Sequence, residues 1–200
     1  ELLGEEYTLV AVADYILQHK KGNTVSNLSS TRALRDISEK YGVQYATAAV
    51  GEVNVVEKMK KVNAIIGGEG NGGVIYPALH YGRDALVGVA LFLSYLAKCK
   101  KKCTEIKASL PTYFIAKNKI SIPTQCSPNQ LFEHLSKLYK NEKINRIDGI
   151  KIDFSDSWVH IRASNTEPIL RIYAEAQSEG KSQLLVKEVI NVIEEYLQLP

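Results

Sequence analysis

Long apolar runs are scarce in these 200 residues. The longest, Ala85 to Ala97, is broken by Gly88 and Ser94 and is too short to span a bilayer, which takes about 20 apolar residues. No stretch has the basic start and apolar middle of a signal peptide. Charge of one sign is also in short supply. A formal net charge of +3 is too mild to mark a nucleic-acid partner. The lysines are scattered, except for Lys100-Lys101-Lys102 at an expected helix end, where cations suit the helix dipole. The three cysteines suggest reduced, intracellular thiols. Cys99 and Cys103 are spaced to share a face of an expected helix, yet no matching Cys or His pair completes a zinc site, so they read as buried or incidental thiols. His19, His80, His134 and His160 are dispersed and give no metal spacing. The first residue is Glu1 rather than Met, so the chain reads as a piece of a longer protein.

What is present is ordinary for a globular chain, 45% hydrophobic and 24% charged, with enough residues for one large domain or two small ones. Leu9, Val12, Ala13, Ile16 and Leu17 recur at helical spacing within Glu5 to Lys20. Thr24 to Leu28 reads as a strand. Ser29, Ser30 and Thr31 offer a cap for a helix marked by Leu34, Ile37 and Tyr41 and closed by Gly42. Strand-like Val43 to Ala48, a helix over Val53 to Lys61, a strand over Val62 to Ile66 and an apolar helix over Asp84 to Lys98 follow. This alternation predicts an α/β layer domain, a mixed sheet flanked by helices, over residues 1–103. From residue 104 the pattern changes. An extended Tyr113 to Ile122 and a helix opened by Ser127-Pro128 precede closely spaced strands at Gly149–Phe154, Trp158–Ala163 and Ile169–Ala176, then an amphipathic helix over Lys181 to Leu197. Residues 104–200 are therefore expected to form a smaller α+β domain with an antiparallel sheet.

Two stretches carry chemistry. Arg162-Ala163-Ser164-Asn165-Thr166-Glu167-Pro168-Ile169-Leu170-Arg171 puts two arginines, two hydroxyls and an amide between strand-like runs. Arginine forks, short hydroxyls and exposed turn N–H groups suit a tetrahedral dianion. Turns are rich in Ser, Asn and Thr for backbone reasons as well, so on residues alone a phosphate cradle and an ordinary polar hairpin both stand. The second stretch is Gly67-Gly68-Glu69-Gly70-Asn71-Gly72-Gly73. Gly68, Gly70 and Gly73 satisfy G-x-G-x-x-G, but Val74-Ile75-Tyr76-Pro77 follows instead of a helix, and no acidic residue stands about twenty positions on, which excludes a dinucleotide site. Glu69 and Asn71 on a tightly folding backbone suit vicinal sugar hydroxyls. The alternative is a flexible surface loop with Glu69 solvated.

Taken together, these stretches resemble the α-D-phosphohexomutase superfamily: phosphoglucomutases, phosphomannomutases and phosphoglucosamine mutases. Gly68-Glu69-Gly70-Asn71-Gly72 looks like the sugar-binding loop of the family's third domain, and Arg162 to Pro168 with Arg171 like the phosphate loop of its fourth. Gly4-Glu5-Glu6 before a helix, and Val50-Gly51 followed by Glu52, fit the third domain as well. The resemblance covers essentially the whole chain. It implies that the first two domains, with a phosphoserine loop and an aspartate-rich loop for Mg²⁺, belong to the rest of a longer parent. The chain itself would then carry no catalytic residue, no metal and no cofactor.

The implied parent is a cytoplasmic isomerase, most closely a phosphoglucosamine mutase. It interconverts hexose 6-phosphate and 1-phosphate through a bisphosphate that turns over in the site. The implied partners are a hexose or hexosamine phosphate and the N-terminal domains, with no nucleic acid and no membrane. Sugar contacts fall to Glu69, Gly70 and Asn71, and phosphate contacts to Arg162, Ser164, Asn165, Thr166 and Arg171. Phosphomannomutase or phosphoglucomutase activity, or a non-catalytic phosphosugar-binding module, are the alternatives. Many members have Ser then His where this chain has Asn71 then Gly73, and the Asn resembles acetylglucosamine phosphomutases. Glu52 stands where some relatives have His, either assisting proton transfer or serving as a carboxylate at a helix N-terminus. Whether His80 and Arg83 edge the site is open.

Overall fold

A computed structural model describes residues 2–123, 125–164 and 166–198. The chain divides into two compact units, Glu1–Thr112 and Tyr113–Pro200.

In the first unit, α1 (Glu5–His19) is followed by β1 (Asn23–Asn27), α2 (Ala33–Lys40), β2 (Tyr45–Ala48), α3 (Glu52–Val62), β3 (Ala64–Glu69), β4 (Gly73–Ile75), α4 (Ala85–Cys99) and α5 (Cys103–Ser109). The sheet order is β2-β1-β3-β4, with β1 parallel to both neighbours and β4 antiparallel to β3. From β1 the chain steps one way to β2 and then back past β1 to β3. With right-handed crossovers, α2 and α3 must cover opposite faces. α1 packs with α2, α4 and α5 and against β3 and β4. It is buried on every side from Leu9 to Leu17, as an all-round apolar helix should be. On the other face, Val55 and Met59 of α3 meet Val25, Ala48, Ala64 and Ile75.

One charge lies inside α1. Asp14, 3% exposed, accepts hydrogen bonds from the Tyr95 hydroxyl, from Tyr41 Oη at 2.9 Å and from Lys40 Nζ at 3.2 Å. Burial pushes its carboxyl pKa up, but the hydrogen bonds outweigh burial and hold it below the ordinary value. Burial and the same carboxylate push Tyr95 up. A buried carboxylate is stable only when paired in this way, and here the pairing ties α1 to α2 and α4.

The second unit runs β5 (Phe114–Ser121), α6 (Pro128–Leu138), β6 (Lys143–Asn145), β7 (Ile150–Asp153), β8 (Trp158–Ala163), β9 (Ile169–Ala176) and α7 (Glu179–Leu197). Its antiparallel sheet has the order β5-β9-β8-β7-β6. Val159 and Ile161 of β8 face a core that includes Leu131 and Leu135 of α6 and Val189 and Ile193 of α7. Trp158, His160 and Arg162 alternate onto the other face.

The two expected architectures are present, an α/β layer and an α+β sheet, but several details differ. The break between units follows Thr112. A boundary between residues 103 and 104 would cut into α5, whose Ile106 is fully buried. Cys99 and Cys103 do not share a helix: Cys99 ends α4, Lys100 turns left-handed at φ 54, and Cys103 opens α5. The cap expected from Ser29 to Thr31 falls on Arg32, which makes no side-chain cap bond. Thr31 Oγ1 instead accepts from Ala33 N–H at 3.2 Å.

Leu135 is fully buried between α6 and the sheet. Leu135→Ala is expected to cost the second unit about 2–5 kcal/mol through lost burial plus a cavity. Urea unfolding followed by the fluorescence of Trp158, the chain's single tryptophan, measures it; a loss under about 1 kcal/mol would contradict this packing.

Candidate functional site

The glycine run of the first unit is a hairpin. Gly67 pairs with Ile75, Gly68 with Val74 and Glu69 with Gly73, so Gly70, Asn71 and Gly72 form the turn. Two positions demand glycine. A Cβ on Gly68 would lie 1.9 Å from the Gly73 carbonyl oxygen, and Gly72 has φ 86, in the left-handed region. Asn71 Oδ1 accepts from Gly73 N–H at 3.1 Å. Its amide nitrogen, on an exposed residue, has no partner among the described residues.

Neighbouring elements anchor this turn. Gly70 N–H donates to Ser30 Oγ at 2.9 Å. Glu69 is 5% exposed. Its Oε1 accepts from Asn27 Nδ2 at 2.9 Å and from Gly51 N–H at 3.1 Å, and its Oε2 lies 3.1 Å from Arg83 Nη1. The solvated Glu69 of the flexible-loop alternative is therefore not what the structure shows. Asn27 ends β1, Glu69 ends β3 and Gly51 precedes α3, so the carboxylate sits beyond the carboxyl ends of two parallel strands, where the strand order reverses. That is the usual place for ligand sites in open α/β sheets.

Arg83 bridges two carboxylates. Its backbone N–H and its Nε donate to Glu52 Oε1 and Oε2, each at 2.9 Å, while Nη1 faces Glu69. The Arg83 backbone N–H and guanidinium hold the Glu52 carboxyl below its ordinary pKa. His80 is used differently: its Nε2 lies 3.0 Å from Asp84 Oδ2, and Asp84 caps α4 by accepting from Val87 N–H at 3.0 Å. Asn27 and Ser30 had no expected role in the site, Asn27 falling in an expected strand and Ser30 being offered only as a helix cap. Their one available signal was a polar side chain at and just after the end of a strand.

The second candidate stretch is the β8–β9 turn. Arg162 and Arg171 occupy directly opposed positions, and Lys119 of β5 is opposed to Arg171. Three cations therefore lie in a row across three strands on one face, an arrangement that repels itself unless an anion neutralises it. Arg162 Nε forms an ion pair with Asp148 Oδ2 at 3.6 Å, beyond hydrogen-bond range, and has no hydrogen-bond partner among the described residues. Arg171 and Lys119 make no ion pair among the described residues. The turn is closed by Ser164 N–H donating to the Ile169 carbonyl at 3.0 Å, and Ser164 Oγ lies 3.4 Å from Thr166 Oγ1 and N. Asn165 lies outside the described residues. Beside Arg162, His160 is 1% exposed and its Nε2–H donates to the Asp148 carbonyl at 2.7 Å. Burial pushes its pKa down to about 4. Among the described residues, no cluster of His, Cys, Asp and Glu suits a metal ion, and no helix is long and apolar enough to cross a membrane.

Fold and turns together define a tandem of an α/β domain and an α+β domain, each with a polar turn between two antiparallel strands of its sheet. The particular family follows from comparison. Residues 4–114 match the model for phosphoglucomutase/phosphomannomutase alpha/beta/alpha domain III, and residues 125–192 match the one for the family's C-terminal domain. The chain belongs to the phosphoglucomutase/phosphomannomutase family. It is 36% identical over 194 residues to a phosphoglucomutase/phosphomannomutase of Thermococcus kodakarensis, covering 96% of this chain and 42% of that protein. It is 33% identical over 172 residues to a phosphoglucosamine/phosphogalactosamine mutase of Sulfurisphaera tokodaii, covering 85% and 38%. A solved N-acetylphosphoglucosamine mutase of Aspergillus fumigatus, in complex with GlcNAc-6P and magnesium, shares the fold with a TM-score of 0.66 at 15% identity, covering 96% and 47%. The chain thus spans less than half the length of these relatives.

The neutral, buried His160 makes a pH prediction. A histidine whose folded pKa is depressed contributes stability that is complete above its unfolded value of about 6.5 and is lost as the pH falls toward 4. The second unit is expected to lose about 3 kcal/mol from this residue between pH 7 and 4. His160→Gln, which retains a donor for the Asp148 carbonyl, should remove that part of the slope. Equal slopes in parallel urea titrations of the two proteins would contradict the assignment.

Proposed function

We propose that this chain is the sugar- and phosphate-binding C-terminal half of a phosphohexomutase, most closely a phosphoglucosamine mutase. Its parent interconverts hexosamine 6-phosphate and 1-phosphate. The observation that carries the reading is the Lys119–Arg171–Arg162 row beside the Ser164–Thr166 turn: three opposed cations, met by the one carboxylate of Asp148 at Arg162, next to short hydroxyls suit a phosphate dianion. Arg162, Ser164, Asn165, Thr166 and Arg171 grip the phosphate that is not reacting, and Glu69, Gly70 and Asn71 hold the sugar. Glu69 serves as a preorganised acceptor. Its carboxylate has about four lone-pair sites and spends three on the protein, which leaves room for a sugar hydroxyl. Asn71 contributes its open amide N–H₂ and is the feature that favours an amino sugar.

In this reading the transferred phosphoryl group resides on a serine of the preceding domains, and this chain contributes positioning and charge. Phosphoryl moves from that serine to the free oxygen of the monophosphate. After the bisphosphate turns around, the other phosphate returns to the serine. The magnesium expected in the parent has no ligand cluster among the described residues here, and no step of this chain is assigned to it. The curated relatives include both phosphoglucosamine mutases and a phosphoglucomutase/phosphomannomutase, so glucose and mannose phosphates are the second reading.

Titrating the chain with glucosamine 6-phosphate by ¹H–¹⁵N NMR tests the proposal. Binding is expected to be weak and to fall with added salt. Arg162→Ala and Arg171→Ala should each weaken it about tenfold or more, since each removes a charge-assisted contact. Affinity unchanged by both substitutions would refute the phosphate assignment.

A further inference from the structure

Arg83 has no place in the phosphate turn or in the glycine stretch, yet it touches both carboxylates at the mouth of the β3–β4 hairpin. Glu52 takes its backbone N–H and its Nε at 2.9 Å each, and Glu69 takes Nη1 at 3.1 Å. Nη2 has no partner among the described residues, and the side chain is 43% exposed. A guanidinium held on two edges by two carboxylates has few rotamers left, so its remaining nitrogen is preorganised. The hairpin itself makes room for it. A Cβ on Gly73 would lie 2.5 Å from Arg83 Cδ and 3.2 Å from Cγ, so any side chain at residue 73 displaces the arginine. The missing side chain at 73 and the arginine at 83 are parts of one arrangement.

We propose that Arg83 is a substrate-positioning residue of the sugar loop: clamped by Glu52, it fixes the Glu69 carboxylate and offers its free nitrogen to an oxygen acceptor of the bound sugar phosphate. Glu52 is then the anchor of that arginine rather than a proton carrier. This role rests on the hexose-phosphate reading above and adds a specificity element to it. Lysine in place of Arg83 keeps the charge but cannot donate to both carboxylates in a fixed fork.

The test is a glucosamine 6-phosphate titration by ¹H–¹⁵N NMR of the whole chain and of Arg83→Ala, Arg83→Lys, Gly73→Ala and Arg162→Ala. A ligand-free ¹³C titration of the Glu52 carboxyl accompanies it. Arg83→Ala, Arg83→Lys and Gly73→Ala are each expected to bind about tenfold more weakly while keeping folded spectra. In Gly73→Ala, where Arg83 is still present, the Glu52 carboxyl should move up toward the ordinary range, reporting that the clamp has opened. Binding lost in Arg162→Ala but unchanged in the Arg83 and Gly73 variants would overturn the positioning role and leave the hexose-phosphate reading intact. Absence of binding by the unmodified chain, or binding indifferent to Arg162→Ala, would overturn that reading and this role with it.

Discussion

The buried carboxylate of Glu69 is the constraint on which the candidate sugar site depends. A carboxylate removed from water is costly unless its oxygens are met by donors. Here the donors come from the end of β1, the backbone before α3 and the segment entering α4. Each donor that satisfies the charge also ties an element to the glycine hairpin. The N-terminus of α3 is an electrostatically favourable place for an anion, so Gly51 N–H acts as more than a spacer. The hairpin is narrow enough to bring Glu69 there because Gly68 lets the Gly73 carbonyl approach at a distance no side chain would permit, and Gly73 leaves room for the Arg83 side chain.

The second unit applies the opposite logic. There the charges are alike: Arg162 faces Arg171 across β8 and β9, and Lys119 extends the row. The strands hold these cations together because their alternate residues, among them Ile161, Leu170 and Ile172, are committed to the core beneath α6 and α7. Burial of that core, at roughly 25 cal/mol per Å², outweighs a surface repulsion that solvent screens. The sheet thereby holds the three cations in a fixed row, with Asp148 paired to Arg162, and such preorganisation would favour the proposed dianion.

Much of this was legible in the residues. α1, α4 and α7 are long periodic segments, and β8 and β9 alternate clearly enough that their bounds were readable directly. β4, α5 and β6 were not. Each is short, and β4 is part of a glycine run whose strand character comes only from pairing with β3. α5 follows α4 so closely that Cys99 and Cys103 read as one helix, until the left-handed Lys100 separates them. In the site, Glu69, Asn71, Arg162 and Arg171 stood out because their types and spacing are unusual for a turn. Asn27 and Ser30 did not, because a polar residue at a strand end or ahead of a helix is common and nothing local connects them to a residue some forty positions away.

By itself the sequence determined the two layers, the two polar turns and the likeness to a phosphosugar mutase, since hydrophobic period and turn composition act over short distances. Tertiary structure decided what those turns can do. Glu52 and Arg83 are 31 residues apart and meet only because the chain returns past β1 to form β3 and then β4. Glu69 changes from a candidate solvated acceptor into a buried, three-donor one for the same reason. Which side chains meet follows from strand order and crossover hand, and no local pattern encodes either.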